Sequence, residues 1–427
     1  MTELALQTAV ALGAGGLILA HWVAELWLER LNQRHVQAHA GAVPDPLAGV
    51  MDPPTYARSV QYTLAKSRFN QWAMSWETGV VMGVLFSGLL PWSAGWLEQG
   101  LGSSVWTQAA WVCLVGLLLG LTLLPLAWYA QFHLEARFGF NTASRRLWWT
   151  DLGKSLVLWL GLGYPLVGLL LWAAECTGPS WWLWAWASAV GWQLLVLWLA
   201  PRLILPWFNK FTPLQPGPLR DRLLALAQRT GFPVASIQVM DGSRRTRHSN
   251  AFLVGLGRWR KVVLWDTLLE QFTETELEAV LAHEIGHYRL RHTLKALASV
   301  AVGLLVVLAA LSWLARQPWF YGAFGFTPGS LAPALVLALL LTNPVGFWLL
   351  PLVHGLSRRF EFQADAFAVQ VIGSARPLIA ALRRLSEKNL VNLTPHPLYS
   401  RIYDSHPTLL EREQALSWAA PGTNAAT

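Results

Sequence analysis

The sequence predicts a mainly α-helical, polytopic membrane protein with a small α+β region held outside the bilayer. Three observations predict it. Hydrophobic residues make up 54% of the 427 and charged residues 13%, about half the ~25% charged share of a soluble domain. Tryptophan occurs 26 times, a load carried best where indole can sit at a membrane interface. Seven stretches reach the ~20 mostly apolar residues that a bilayer-crossing helix needs. This balance excludes a disordered chain, a fibrous protein and a water-soluble enzyme of ordinary surface. Two cysteines, Cys113 and Cys176, exclude a disulfide-built scaffold and a Cys-based zinc module; they read as buried or interfacial thiols.

The seven stretches are Leu4–Leu28, Trp72–Trp92, Val105–Trp128, Ser155–Ala174, Trp181–Leu205, Leu294–Leu314 and Leu331–Val353. The first follows Met1-Thr2-Glu3 without a cationic start, so it reads as a retained span rather than a signal peptide. Its His21 and Glu25, one turn apart, read as an end-of-helix pair facing headgroups. The connections alternate in charge. The first, third and fifth carry Arg30, Arg34, Arg58, Lys66, Arg68, Arg137, Arg145, Arg146, Lys154 and a further basic run; the second and fourth have no Lys or Arg and the sixth only Arg316. The positive-inside rule then puts the N-terminus outside, and the long fifth connection and C-terminal tail in the cytoplasm. The net charge of +8 is thereby assigned to orientation, and a nucleic-acid partner is not expected. The tryptophans are assigned to interfacial belts and packing.

The chain divides into a five-span membrane region (1–205), a cytoplasmic catalytic segment (206–292), the sixth and seventh spans (293–353) and a C-terminal catalytic segment (354–427). Within the second, Pro218–Thr230 has helical apolar spacing ending at Gly231. Short apolar runs at Ala235–Met240, Ala251–Val254 and Lys261–Trp265 predict strands of a small sheet. Thr273-Glu274-Thr275-Glu276 is a capping box opening a helix.

On that helix lies His283-Glu284-Ile285-Gly286-His287. The four-residue spacing puts both imidazoles on one face, where they can chelate one Zn²⁺, with Glu284 beside them to act as a base toward water. The opposing interpretation is a polar helix surface with incidental histidines; the apolar approach Ala279–Ala282 and the preceding cap argue against it. A catalytic zinc needs a third protein ligand. His292 is close in sequence but lies well round the helix from His283 and His287. Glu361 and Asp365, four apart after the seventh span on a stretch that reads as helix to Val371, are better placed. Glu361 can ligate while Asp365 orients a ligating imidazole through its other nitrogen.

At these residues the chain resembles the membrane zinc metallopeptidases of the CAAX prenyl protease 1 family, the type I CAAX endopeptidases. Arg247-His248-Ser249-Asn250-Ala251-Phe252 with Gly255, Ser357 to Asp365, Tyr399-Ser400, and Ser405-His406-Pro407-Thr408-Leu409 through Arg412 are all similar to family segments. So are Thr55-Tyr56, Lys66-Ser67-Arg68-Phe69, Phe138-Gly139-Phe140-Asn141 and Pro206–Phe211. The resemblance implies seven transmembrane helices around a chamber, with a gluzincin-type zinc site near the cytoplasmic side. It implies His283, His287 and Glu361 as ligands of one Zn²⁺, Glu284 as catalytic base and His406 as a group stabilising the oxyanion. It further implies that Asn250, Ala251 and Phe252 form an edge strand pairing with substrate backbone. His248, from the same motif, either lines the cleft or makes a structural hydrogen bond.

The expected function is zinc-dependent hydrolysis of peptide bonds in a peptide or protein substrate, by a multi-pass protein surrounded by membrane lipid; a prenylated C-terminus on that substrate is implied by the resemblance alone, since the sequence shows no prenyl-recognising feature. A bacterial inner membrane is the expected location, an endoplasmic reticulum-type membrane the alternative. One rival is a quality-control protease degrading misfolded or stalled proteins. Another is a non-enzymatic seven-helix protein with a structural zinc, which would need a fourth protein ligand. Intramembrane proteolysis would need the motif inside a span, whereas here it lies among Glu276, Glu278, Arg289 and Arg291.

Overall fold

The computed structural model describes residues 2–255 and 260–419; residues 420–427 of the expected C-terminal segment lie outside them. Apolar sequence and hydrogen-bond economy dictate the first half, because within hydrocarbon only a helix satisfies its own backbone. Among the described residues five helices are long and apolar enough to cross a membrane: Glu3–Ala38, Val105–Glu135, Arg145–Phe208, His292–Leu314 and Leu331–Ile372. A sixth candidate is the pair Pro53–Phe86 and Leu89–Leu101, bent by 59°.

That pair corrects the straight span expected at Trp72–Trp92. The helix begins much earlier, where the Asp52 carboxylate accepts from the Thr55 amide at 2.9 Å. It breaks at Gly88, whose φ of +78° suits glycine. The 64-residue run Arg145–Phe208 is likewise not one rod. Gly178, at φ +57°, begins a 3₁₀ turn over Gly178–Ser180, and the flanking arms Tyr164–Thr177 and Trp181–Leu199 pack on each other.

The spans share a core built on Ile18, Leu85, Trp111, Leu171, Trp181 and Leu337. Outward they present Trp72, Trp92, Trp96 and Trp184, all exposed. Inward-facing indoles find acceptors, as Trp111 does at Ser93 Oγ (3.1 Å) and Trp186 at the Ala301 carbonyl (2.8 Å). His21 and Glu25 do not face headgroups: His21 is buried, 3.3 Å from Glu25 and tilted onto the Phe347 ring. Both point into the bundle, as do Glu29 and Asn32 farther along that helix. Glu29 accepts from Ser67 Oγ, Asn70 and the Tyr399 hydroxyl, and Asn32 Oδ1 from the His396 amide. Cys113 is buried, Cys176 exposed, and both are free thiols.

The polar half has a separate core, in which Leu223, Leu226, Val262, Leu264, Leu281, Ile285 and Ala368 meet. Its sheet contains β1 (Phe211–Pro213), β2 (Val234–Met240), β3 (Ala251–Val254) and β4 (Arg260–Trp265), in the order β1-β2-β4-β3. β4 runs parallel to β2 and antiparallel to β3. The three expected strands are present within a residue of their expected ends; β1, which includes Pro213, was not anticipated. Pro213 is tolerated because β1 lies at an edge. β3 is the other edge, packed beside the helix that carries the two motif histidines.

Candidate metal centre

The motif helix runs Glu274–Arg289 and starts on the expected capping box: Thr273 Oγ1 accepts from the Glu276 amide and the Glu276 carboxylate from the Thr273 amide. Leu277, Leu281 and Ile285 are buried and fix its rotation, which turns His283 and His287 toward Leu350–Ile372, the helix continuing from the last candidate span. The approach is close at one residue. A Cβ on Gly286 would meet the Ala364 Cα at 3.0 Å and its carbonyl oxygen at 3.1 Å, so only glycine lets the two helices touch there.

That contact brings Glu361 to the histidine pair. Single donor atoms of His283, His287 and Glu361 lie within 4.8 Å of one another. The Nε2 atoms of the imidazoles are 3.1 Å apart, and Glu361 approaches them at 3.5 and 3.3 Å. Two features test whether this set suits a cation. Glu361 Oε2 is buried with no hydrogen-bond donor, a cost that a metal ligand need not bear. Burial alone draws His283 down, yet Asp365 and Glu361 outweigh it and hold the imidazole up at about 9: the pocket favours positive charge. Two imidazole nitrogens and a carboxylate oxygen match a divalent ion of the zinc type.

Asp365 lies one turn beyond Glu361 and accepts from His283 Nδ1 at 2.8 Å. The Arg412 guanidinium grips the same carboxylate through two bonds, at 2.6 and 2.8 Å. Burial pushes the Glu284 carboxyl above its ordinary range. His406 reaches the site from the C-terminal segment, its Nε2 3.5 Å from Glu361 and its side chain 64% exposed. Asn250 is exposed and precedes edge strand β3, which contains Ala251 and Phe252. His248 stands apart from the metal group. It stacks on Phe140 at 4.0 Å, with its ring nitrogens 3.2 Å from Asn389 Oδ1 and 3.4 Å from Glu135.

Three contributions escaped sequence reasoning. Arg412 stood only as the end of a C-terminal segment, and nothing local signals its pairing with Asp365. Gly286 was visible inside the motif, but its contact with Ala364 was not. His292 was set aside as lying round the helix; in fact the helix stops at Arg289 and the chain turns through Arg291 at φ +58°, bringing His292 back beside His287.

Fold and site together define a multi-pass membrane metallopeptidase. Residues 32–210 match the model described as CAAX prenyl protease N-terminal, five membrane helices, and residues 213–420 match Peptidase family M48. The chain is 33% identical to a CAAX prenyl protease 1 homolog of Oryza sativa subsp. japonica, covering 90% of this chain and 92% of that one. It is 34% identical to CAAX prenyl protease 1 of Saccharomyces cerevisiae, over 88% and 89%. The crystal structure of S. mikatae Ste24p superposes with a TM-score of 0.87 at 30% identity, covering 95% of this chain and 98% of that one. The chain belongs to the CAAX prenyl protease 1 family and is a metalloendopeptidase.

Proposed function

We propose that this chain is a zinc endopeptidase that cleaves near the C-terminus of a prenylated peptide or protein. The observation that carries the proposal is the convergence of His283, His287 and Glu361 from two helices that are far apart in sequence, with Glu284 beside them. Those three residues would hold a zinc ion, which would supply Lewis acidity toward water and the scissile carbonyl. Glu284 takes a proton from the attacking water and passes it to the leaving amine. The raised pKa that burial gives Glu284 suits both transfers. His406, whose Nε2 lies 3.5 Å from Glu361, donates a hydrogen bond where charge develops on the carbonyl oxygen. Asp365, clamped by Arg412, holds His283 in the tautomer whose Nε2 is free to ligate.

Substrate lies along β3 at Asn250, Ala251 and Phe252; the Asn250 carbonyl and Phe252 face β4, which leaves the Ala251 carbonyl on the outer edge beside its amide, now held by Asn250 Oδ1. His248, occupied by Phe140, Asn389 and Glu135, steadies the approach to that strand. The bent pair counts as one span and the two arms of Arg145–Phe208 as two, which supports seven crossings around an interior lined in part by His21, Glu25, Glu29 and Asn32. The basic odd-numbered connections support a cytoplasmic site and an outside N-terminus, in a bacterial inner membrane or an endoplasmic reticulum-type one.

The test is cleavage by the purified full chain of a farnesylated CAAX peptide and its unprenylated twin, with and without a zinc chelator. Faster, chelator-sensitive cleavage of the farnesylated peptide is expected. Equal rates would transfer the activity to general quality control, and chelator-resistant cleavage would overturn the zinc reading.

A further inference from the structure

The two ligand histidines are supported differently. His283 leans on a charged pair, Asp365 with Arg412. His287 turns its Nε2 toward His283 and Glu361, and its Nδ1 lies 3.1 Å from His292 Nδ1. His292 Nε2 in turn lies 2.9 Å from Gln363 Oε1. His292 is 3% exposed and its ring stacks on Phe360 at 4.3 Å and 12°. Phe360 and Gln363 share one side of the helix on which Glu361 and Asp365 share another.

We infer that His292 is a positioning residue, which with Gln363 forms a neutral hydrogen-bond relay that fixes the tautomer and ring orientation of His287. The direction of each bond follows from the chemistry. If His287 ligates through Nε2, its proton sits on Nδ1 and is donated to His292 Nδ1. His292 must then carry its own proton on Nε2, where the Gln363 amide oxygen accepts it. The chain ends on an acceptor that cannot ionise, so His287 is oriented without a second negative charge entering a site that already holds Glu361 and Asp365. The left-handed turn at Arg291 is what makes the relay available, since it ends the motif helix and aims the first residue of the next one backward.

The inference rests on His283, His287 and Glu361 being zinc ligands. Its test measures zinc affinity of the full chain in detergent by competition with a chromophoric chelator, and the visible absorption band of the Co²⁺-loaded protein. His292→Phe keeps the ring stacked on Phe360 but offers no acceptor; His292→Asn loses the stack but puts an amide oxygen close to where Nδ1 was. The relay predicts that His292→Phe weakens zinc binding by about 10- to 100-fold and shifts the Co²⁺ band, while His292→Asn stays within about threefold of the parent. Gln363→Leu, which leaves His292 in place, should weaken binding by about 3- to 10-fold. A merely structural role predicts the reverse ranking of the His292 variants. Unchanged affinity in both His292→Phe and Gln363→Leu, or equal losses in the two His292 variants, would overturn the relay. Failure of the parent chain to bind one zinc would instead overturn the ligand assignment beneath it.

Discussion

The membrane bundle and the metal-bearing half bury polar groups in different ways. In the bundle Glu29 and Trp111 find neutral partners, Ser67, Asn70 and Tyr399 for the one and Ser93 for the other, alongside the His21–Glu25 pair. Around the motif helix charged partners stand beside the neutral contacts of His287, His292 and Gln363. Arg412 grips Asp365 in a buried pair, while Arg384 reaches Glu276, and Arg222 and Arg229 reach Glu278, from more exposed positions. Stranding a buried neutral group costs about 1–3 kcal/mol. Removing one partner of a buried ion pair costs more, about 3–5 kcal/mol, because the other charge is left uncompensated. The bundle therefore sets shape through apolar packing, and the site sets position through the Asp365–Arg412 pair together with the neutral contacts of His292.

That contrast can be broken or sharpened in order of expected effect. Glu361→Ala or His287→Ala should abolish stoichiometric zinc and with it cleavage, read by metal analysis and peptide turnover; retained zinc would move the centre elsewhere. Arg412→Met strands the Asp365 carboxylate and should cost about 3–5 kcal/mol in thermal or denaturant unfolding. Asp365→Asn combined with Arg412→Met should be less damaging than Arg412→Met alone; additive losses would show that the clamp is not a coupled unit. Gly286→Ala forces a methyl against the Ala364 backbone. It should cost about 1–3 kcal/mol and weaken zinc binding, because the helices must part where Glu361 meets the histidines. Trp76→Phe, in the bundle, removes one exposed indole hydrogen bond to the Thr122 carbonyl. It should change stability by no more than about 1 kcal/mol and leave cleavage unaltered. A large loss there would erase the contrast.

Much of the site was legible because its signals are local. The capping box at Thr273 and Glu276, the four-residue spacing of His283 and His287, and that of Glu361 and Asp365 each follow from helix geometry. β3 and β4 were legible as short apolar runs between turns. What periodicity could not carry was tertiary. The inward facing of His21 depends on Phe347, the clamp on Asp365 depends on Arg412, and β3 becomes an edge only because β4 pairs with β2 on its other side. The break at Gly88 and the turn at Arg291 are single-residue backbone events inside apolar or polar runs that otherwise read straight through. The belt reading of the tryptophans agrees with the outward exposure of Trp72, Trp92, Trp96 and Trp184, whereas Trp111 and Trp181 belong to the core.

The most direct test of the central claim is Glu284→Gln in the full chain, with zinc content and peptide cleavage measured on the same preparation. The variant should bind one zinc with the parent's affinity, because Glu284 is not among the three converging donors, and should lose about 10²- to 10⁴-fold in turnover. Undiminished, zinc-dependent cleavage by Glu284→Gln would contradict the account.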